Sequence, residues 1–238
     1  WPELRSDYAF AYHNVPGRPL GEIGLRAGPG NCASRGMQIL LEGKSSHAAA
    51  PEDGVSPAAA MAVLMQELPK LGTGKIGENG FALSTLTHAR LGEPAFGIAP
   101  GLGEVRATLR CMTDDRMEAL VGAATGLVAQ HTSDLSVDVS WHDVFYTVTN
   151  DADATDRARQ VSARQGLVLN EMATPMRWSE DFGRFGTDGA KAAMLYIGAG
   201  VTQPQLHNPD YDFPDALIPI VSGLFYGIVE DILGVVSA

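Results

Sequence analysis

The sequence predicts an α/β protein in which one α/β domain is interrupted by an inserted ferredoxin-like βαββαβ unit. Three observations predict it. Over about residues 31–148 the signals run strand, helix, strand, strand, helix, strand, the split-βαβ order. Within that interval Val105, Ala107, Leu109 and Cys111 alternate with Glu104, Arg106, Thr108 and Arg110, the period of a half-buried strand. Residues 1–30 and 149–238, on either side, carry α/β material of their own and are expected to belong together.

Taken in order, Tyr8 to His13 (YAFAYH) reads as an aromatic strand that ends in the loop HNVPGRPLG. A short strand follows over Glu22 to Arg26, and GPGN at 28–31 marks a break. MQILLEG from Met37 reads as the first strand of the inserted unit. Ser56-Pro57 opens a helix, with a side-chain oxygen to cap it and proline at its first position. Strands are expected over Phe81 to Leu91 and Glu104 to Cys111. Thr113 or Asp114 caps the next helix, whose residues Met117, Leu120, Val121, Ala124, Leu127 and Val128 share a face. Leu135, Val137, Val139 and Trp141 then alternate with Ser136, Asp138, Ser140 and His142. Beyond Asn150 come a polar helix over about 151–165, a short helix near Ser179, a buried strand over Met194 to Ile197 and a closing helix from Leu217 to Leu233.

Composition excludes several classes of function. The formal net charge is -11, from 28 acidic and 17 basic residues, and no basic run exceeds two residues, so a nucleic-acid backbone is an unsuitable partner. No apolar run reaches the length of a membrane span. The 2 cysteines, Cys32 and Cys111, lack any metal or disulfide spacing and read as reduced thiols of a cytoplasmic protein. The chain begins at Trp1 and enters strand-like sequence almost at once, as a fragment or processed chain would.

Candidate chemistry rests on a few side chains. His13 lies at the carboxyl end of a strand, where open α/β sheets place ligands. His207 sits in the proline-framed loop QPQLHNPDYDFPD, which fixes an imidazole as a metal ligand requires. His47, in GKSSHAAAP, is flanked by small residues and free to donate a hydrogen bond to a developing oxyanion. Each of the three, taken singly, reads more readily as a structural or surface histidine than as a working one. Glu180 and Asp181 in WSEDF either complement a helix dipole or face a substrate or metal. His88, His131 and His142 have no partner at useful spacing and are assigned to structure.

Together the motifs are more specific. H-x-x-P-x-x-P-x-G, G-K-x-x-H-A-x-x-P, S-E-D-F and L-H-N-P-x-[YF]-D-F occur in this order, with the βαββαβ unit between the first and third. With that order the sequence resembles the hippurate hydrolase and indole-acetyl-amino-acid hydrolase group, within the aminoacylase and carboxypeptidase family of metal-dependent amidohydrolases. The resemblance covers essentially all 238 residues. It implies a catalytic α/β domain over 1–30 and 149–238 and a lid and dimerisation domain over 31–148. It implies that His13 and His207 are metal ligands, that His47 steadies the tetrahedral intermediate in the partner subunit of a homodimer, and that Arg110 holds the substrate carboxylate, with Glu180 also facing substrate. Two divalent ions, zinc or manganese, are implied per complete site, activating a water for attack on the amide of an N-acyl amino acid or short peptide.

Two departures qualify the resemblance. The family's other ligands come from a Cys-x-x-His stretch and a Glu-Glu pair carrying the general base; no Glu-Glu occurs here, and Cys32 is followed by Ala-Ser-Arg. Two histidines cannot hold a metal pair, so the isolated chain is expected to be inactive, with the missing parts upstream. Gly97, in AFGIAPG, replaces the asparagine of N-x-I-P, which points to altered substrate preference. The alternative is a non-catalytic dimerisation or binding module.

Overall fold

The structure is a computed structural model that describes residues 5–78 and 80–234. In chain order its first elements are β1 (Tyr8–Val15), β2 (Ile23–Leu25), β3 (Gly28–Asn31), β4 (Ala33–Glu42), β5 (Ser46–His47), α1 (Ala58–Glu67), β6 (Ala82–Leu91) and β7 (Ile98–Ala99). There follow β8 (Leu102–Cys111), α2 (Asp114–His131), β9 (Ser136–Phe145), β10 (Val148–Asn150), α3 (Ala152–Arg164), β11 (Leu169–Glu171), α4 (Gly183–Thr187), β12 (Lys191–Gly198) and α5 (Leu217–Leu233). The chain divides into two compact units. One comprises Trp1–Asn31, Val148–Met176 and Glu180–Ala238; the other comprises Cys32–Thr147 and Arg177–Ser179. Residues 1–4 and 235–238 of the expected flanking domain lie outside the described residues.

In the discontinuous unit a mixed sheet runs β1-β12-β2-β11. β1 and β12 are parallel, from Tyr8 opposite Lys191 to Val15 opposite Gly198. The run AAMLYIG in β12 is buried throughout, as expected of a strand with both faces covered. Leu195 and Ile197 meet Ile23 and Leu25 of β2, Ala158 and Val161 of α3, and Leu217, Leu224 and Ile228 of α5 in one core. On the β12 backbone the buried Asn150 donates from Nδ2 to the Met194 carbonyl at 2.9 Å and accepts from the Met194 amide at 2.8 Å. That satisfies a polar side chain which would otherwise cost on the order of 1–3 kcal/mol to bury. Asp151 caps α3, its carboxylate accepting from the Ala154 amide at 3.0 Å.

Two elements differ from expectation. GPGN is not a break but strand β3, paired antiparallel with β10. Gly28, at φ +81°, makes the turn into it, so the glycine that signals an interruption instead serves the strand entrance. The short helix expected near Ser179 begins at Gly183 as α4 and has no side-chain cap. Glu180 and Asp181 therefore lie ahead of the helix, outside its first turn.

In the inserted unit β6-β8-β4-β9 form a wholly antiparallel sheet. Met37, Ile39 and Leu41 of β4 and Val105, Ala107, Leu109 and Cys111 of β8 face Met61 and Leu64 of α1 and Met117, Leu120, Ala124 and Val128 of α2. Each fully buried leucine contributes roughly 1.5–3 kcal/mol relative to exposure. Ser56 Oγ accepts from the Ala58 amide at 3.3 Å, but α1 starts one residue later than expected, so Pro57 and not Ser56 stands at the N-cap and no side chain caps the helix. Thr113 caps α2 through Arg116 N.

Cys32 and Cys111 are both buried and unlinked, and burial pushes each thiol up to about 11. At neutral pH both are protonated and shielded, which makes them poor nucleophiles. Neither thiol is expected to react with Ellman's reagent within minutes in the native protein, and both should react once it is unfolded in denaturant. Rapid native labelling of either would contradict this packing. Among the described residues no helix is long and apolar enough to cross a membrane.

Candidate active site

The discontinuous unit places His13 by strand alternation. Phe10 and Tyr12 pack toward the α3–α5 core, where Tyr12 meets Phe225 edge-on at 4.7 Å. The next residue, His13, lines a cavity of about 830 Å³ together with Ala11, Met194, Glu180, Asp181 and Phe182. Its Nδ1 lies 2.7 Å from the Asn14 carbonyl oxygen. A carbonyl only accepts, so Nδ1 carries a proton, and Nε2 is the ring nitrogen on the Glu180 side. Glu180 Oε1 lies 3.5 Å from that nitrogen.

At that separation a proton or a cation between the imidazole and the carboxylate satisfies both groups. Burial raises the pKa of the Glu180 carboxyl, an effect opposed by His13 and reinforced by Asp181. The His13–Glu180 pair therefore suits one edge of a cation-binding centre. It is not a whole one: among the described residues no group of three or more His, Cys, Asp or Glu side chains gathers to hold a metal ion.

His207 occupies its loop in a left-handed conformation, φ +67°, which histidine tolerates better than most residues. Two turns brace it, Asn208 N donating to Gln205 O at 3.1 Å and Tyr211 N to Asn208 O at 3.0 Å. Gln203 Nε2 also donates to the Asp212 carbonyl. The side-chain amide of Asn14 donates to the Tyr211 hydroxyl, so the residue after His13 is tied to the loop that carries His207. His207 is exposed and does not line the His13 cavity. Motif spacing named neither Asn14 nor Tyr211 as a working residue; the only signal was the aromatic position in LHNPDYDF.

In the inserted unit His47 is exposed and lies in β5, opposite Ile98 of β7. Its Nδ1 accepts from the Ala49 amide at 3.0 Å, which leaves the proton of the neutral ring on Nε2. Nδ1 is thus used in opposite senses in the two histidines, as a donor in His13 and as an acceptor in His47. Gly97 neighbours His47, its carbonyl accepting from Ala48 N at 3.0 Å. A Cβ at Gly97 would meet nothing within 4 Å, so the absence of a side chain there is not a packing requirement. Arg110 stands near the end of β8, half-buried, and donates from Nη1 to Ser179 Oγ at 2.8 Å.

Comparison with known proteins agrees with this architecture. The profile described as Peptidase family M20/M25/M40 matches residues 2–231. The N-acetylcysteine deacetylase of Bacillus subtilis (strain 168) is 23% identical over 225 residues, covering 91% of this chain and 56% of that protein. The hippurate hydrolase of Campylobacter jejuni is 24% identical over 221 residues, covering 90% of this chain and 56% of that one. Among solved structures, the Bacillus subtilis YXEP protein, described as a dinuclear metal binding peptidase from the M20 family, superimposes with a TM-score of 0.71 at 19% identity, over 95% of this chain and 57% of its own. The aminobenzoyl-glutamate utilization protein from Klebsiella pneumoniae gives 0.75 at 15% identity, over 94% and 55%. These structural likenesses show a shared mixed α/β fold. The chain spans a little over half the length of the curated relatives it matches.

Proposed function

The chain belongs to peptidase family M20/M25/M40, and from that membership we propose that it serves metal-dependent hydrolysis of the amide bond of N-acyl amino acids or short peptides. In this reading residues beyond these 238 supply the general base and the remaining ligands. Hippurate and N-acetylcysteine, the compounds named for two of its relatives, are both N-acyl amino acids. The observation that carries the proposal is the pairing of His13 and Glu180, whose Nε2 and carboxylate lie 3.5 Å apart in one cavity.

His13 and His207 would hold a divalent pair, zinc or manganese, which when bound activates water and polarises the amide carbonyl. Glu180 would face metal or substrate from the same cavity. His47, with its proton on Nε2, is in the form that donates to a developing oxyanion, as an intermediate-stabilising residue must be. Arg110 would receive the substrate carboxylate. The inserted unit would act as a lid and as the dimer contact; its strand order β6-β8-β4-β9 with both helices on one face supports the ferredoxin-like topology of that reading. A cytoplasmic, homodimeric enzyme completes the reading.

Metal content and turnover test it together. The isolated 238 residues are expected to retain no stoichiometric zinc or manganese and to leave hippurate uncleaved. The complete protein is expected to bind both ions and release an acyl group from at least one N-acyl amino acid. Failure of the complete, metal-loaded protein on every N-acyl amino acid and dipeptide tried would overturn the proposal. The absence of a three-residue ligand group among the described residues favours a second reading, a non-catalytic dimerisation module. That reading requires a complete protein that dimerises yet neither binds metal nor turns over.

A further inference from the structure

Arg110 differs from six other arginines of this chain in what surrounds its charge. Arg35, Arg90, Arg106, Arg157, Arg159 and Arg164 all sit in ion pairs with carboxylates, whereas among the described residues Arg110 has none. It is nonetheless half-buried, and burial lowers its pKa. A desolvated guanidinium without an acid to balance it is suited to an anionic ligand.

The hydrogen bonds it does make fall on one nitrogen. Nη1 donates to Ser179 Oγ at 2.8 Å and, more weakly, to the Arg177 carbonyl at 3.5 Å. No hydrogen bond occupies Nε or Nη2 among the described residues. Those two nitrogens form the parallel donor edge that a carboxylate accepts in a bidentate pair. Backbone register adds to the restraint, since Arg110 stands between Ser34 of β4 and Leu83 of β6 in the middle of the sheet.

We propose that Ser179 is a positioning residue for Arg110, anchoring Nη1 so that the Nε–Nη2 edge is presented to the carboxylate of the N-acyl amino acid. This rests on the reading that Arg110 binds that carboxylate, and it goes further by giving the serine of the S-E-D-F motif a part in substrate selection. A guanidinium held this way keeps less rotamer freedom to lose on binding, so the anchor acts on substrate affinity and not on bond cleavage.

The test uses the complete, metal-loaded enzyme with two substrates, an N-acyl amino acid and the matching carboxamide, in which an amide replaces the carboxylate. Ser179→Ala is expected to raise KM for the acid by roughly 3- to 10-fold, the worth of one hydrogen bond, while kcat and the KM for the carboxamide stay within about 2-fold. Ser179→Thr, which keeps the hydroxyl, should restore most of the difference. Arg110→Met should raise KM for the acid by about 100-fold or more and remove the preference for acid over carboxamide. If Arg110→Met leaves that preference intact, the carboxylate reading itself is wrong. If Arg110→Met removes it and Ser179→Ala does not move it, Arg110 binds carboxylate without the anchor and the inference fails. Equal damage to both substrates by Ser179→Ala would make the serine merely structural, which also overturns it.

Discussion

Replacing His13 or His207 with alanine in the complete enzyme is expected to lower kcat/KM by at least about 10³-fold, corresponding to the several kcal/mol that metal-assisted charge stabilisation supplies. The two variants should also lose stoichiometric metal, measured by elemental analysis after dialysis. The structural reason differs between them. His13 is a strand residue whose ring orientation is set by its bond to the Asn14 carbonyl, and its removal leaves Glu180 facing an apolar methyl group. His207 stands in a loop held by its own turns and by Asn14, so its removal should leave the loop in place and take away the imidazole alone. His13→Ala is therefore expected to perturb the Glu180 side of the cavity as well. Wild-type turnover and metal content in both variants would sink the assignment of these two histidines.

Much of the element pattern was readable from residue order, because local physics governs it. The alternation in β8 put Val105, Ala107, Leu109 and Cys111 inward, and all four are buried. The stripe on α2 and its cap, expected at Thr113 or Asp114 and made by Thr113, were legible for the same reason, each being decided within a few residues. The closing helix, expected from Leu217 to Leu233, has those bounds. What local signals misjudged are places where a distant partner decides. Glu180 reads as a residue of a helix's first turn, yet its carboxylate faces His13, 167 positions away in sequence, and the helix starts later. GPGN reads as punctuation, yet Val148 and its neighbours supply a strand for it to pair with.

The same distinction governs the candidate site. The histidines were found through motifs, but their tautomers were not, since each depends on a backbone group that only the folded loop brings near. His13 has a carbonyl at Nδ1 and His47 has an amide there, so Nδ1 donates in the first and accepts in the second. Asn14 with Tyr211, and Ser179 with Arg110, are pairings across 197 and 69 positions that no local pattern encodes.

Gly198→Ala is expected to destabilise the discontinuous unit by about 1–3 kcal/mol, and by more if the following loop must detach. Gly198 ends β12 opposite Val15, where the chain leaving His13 folds back across the strand. A Cβ there would lie 1.9 Å from the Pro19 carbonyl oxygen and 2.9 Å from its carbon, both backbone atoms that no rotamer change can move. Relief requires shifting the Arg18–Pro19 segment, which is fastened by Gly21 N to Gly198 O at 2.9 Å, Gly198 N to Glu22 O at 2.8 Å and Gly200 N to Arg18 O at 2.9 Å. Several of these bonds would weaken together, and they restrain the loop immediately after His13. The loss is a sizeable part of the 5–15 kcal/mol by which domains are stable. Gly122→Ala is the control: it lies in α2, a Cβ there meets nothing within 4 Å, and alanine favours a helix interior over glycine by roughly 0.5–1 kcal/mol. Thermal melting followed by far-ultraviolet circular dichroism should therefore move down for Gly198→Ala and level or up for Gly122→Ala. An unchanged melting curve for Gly198→Ala would mean that the loop yields freely, and that the close crossing of β12 does not fix the segment carrying His13.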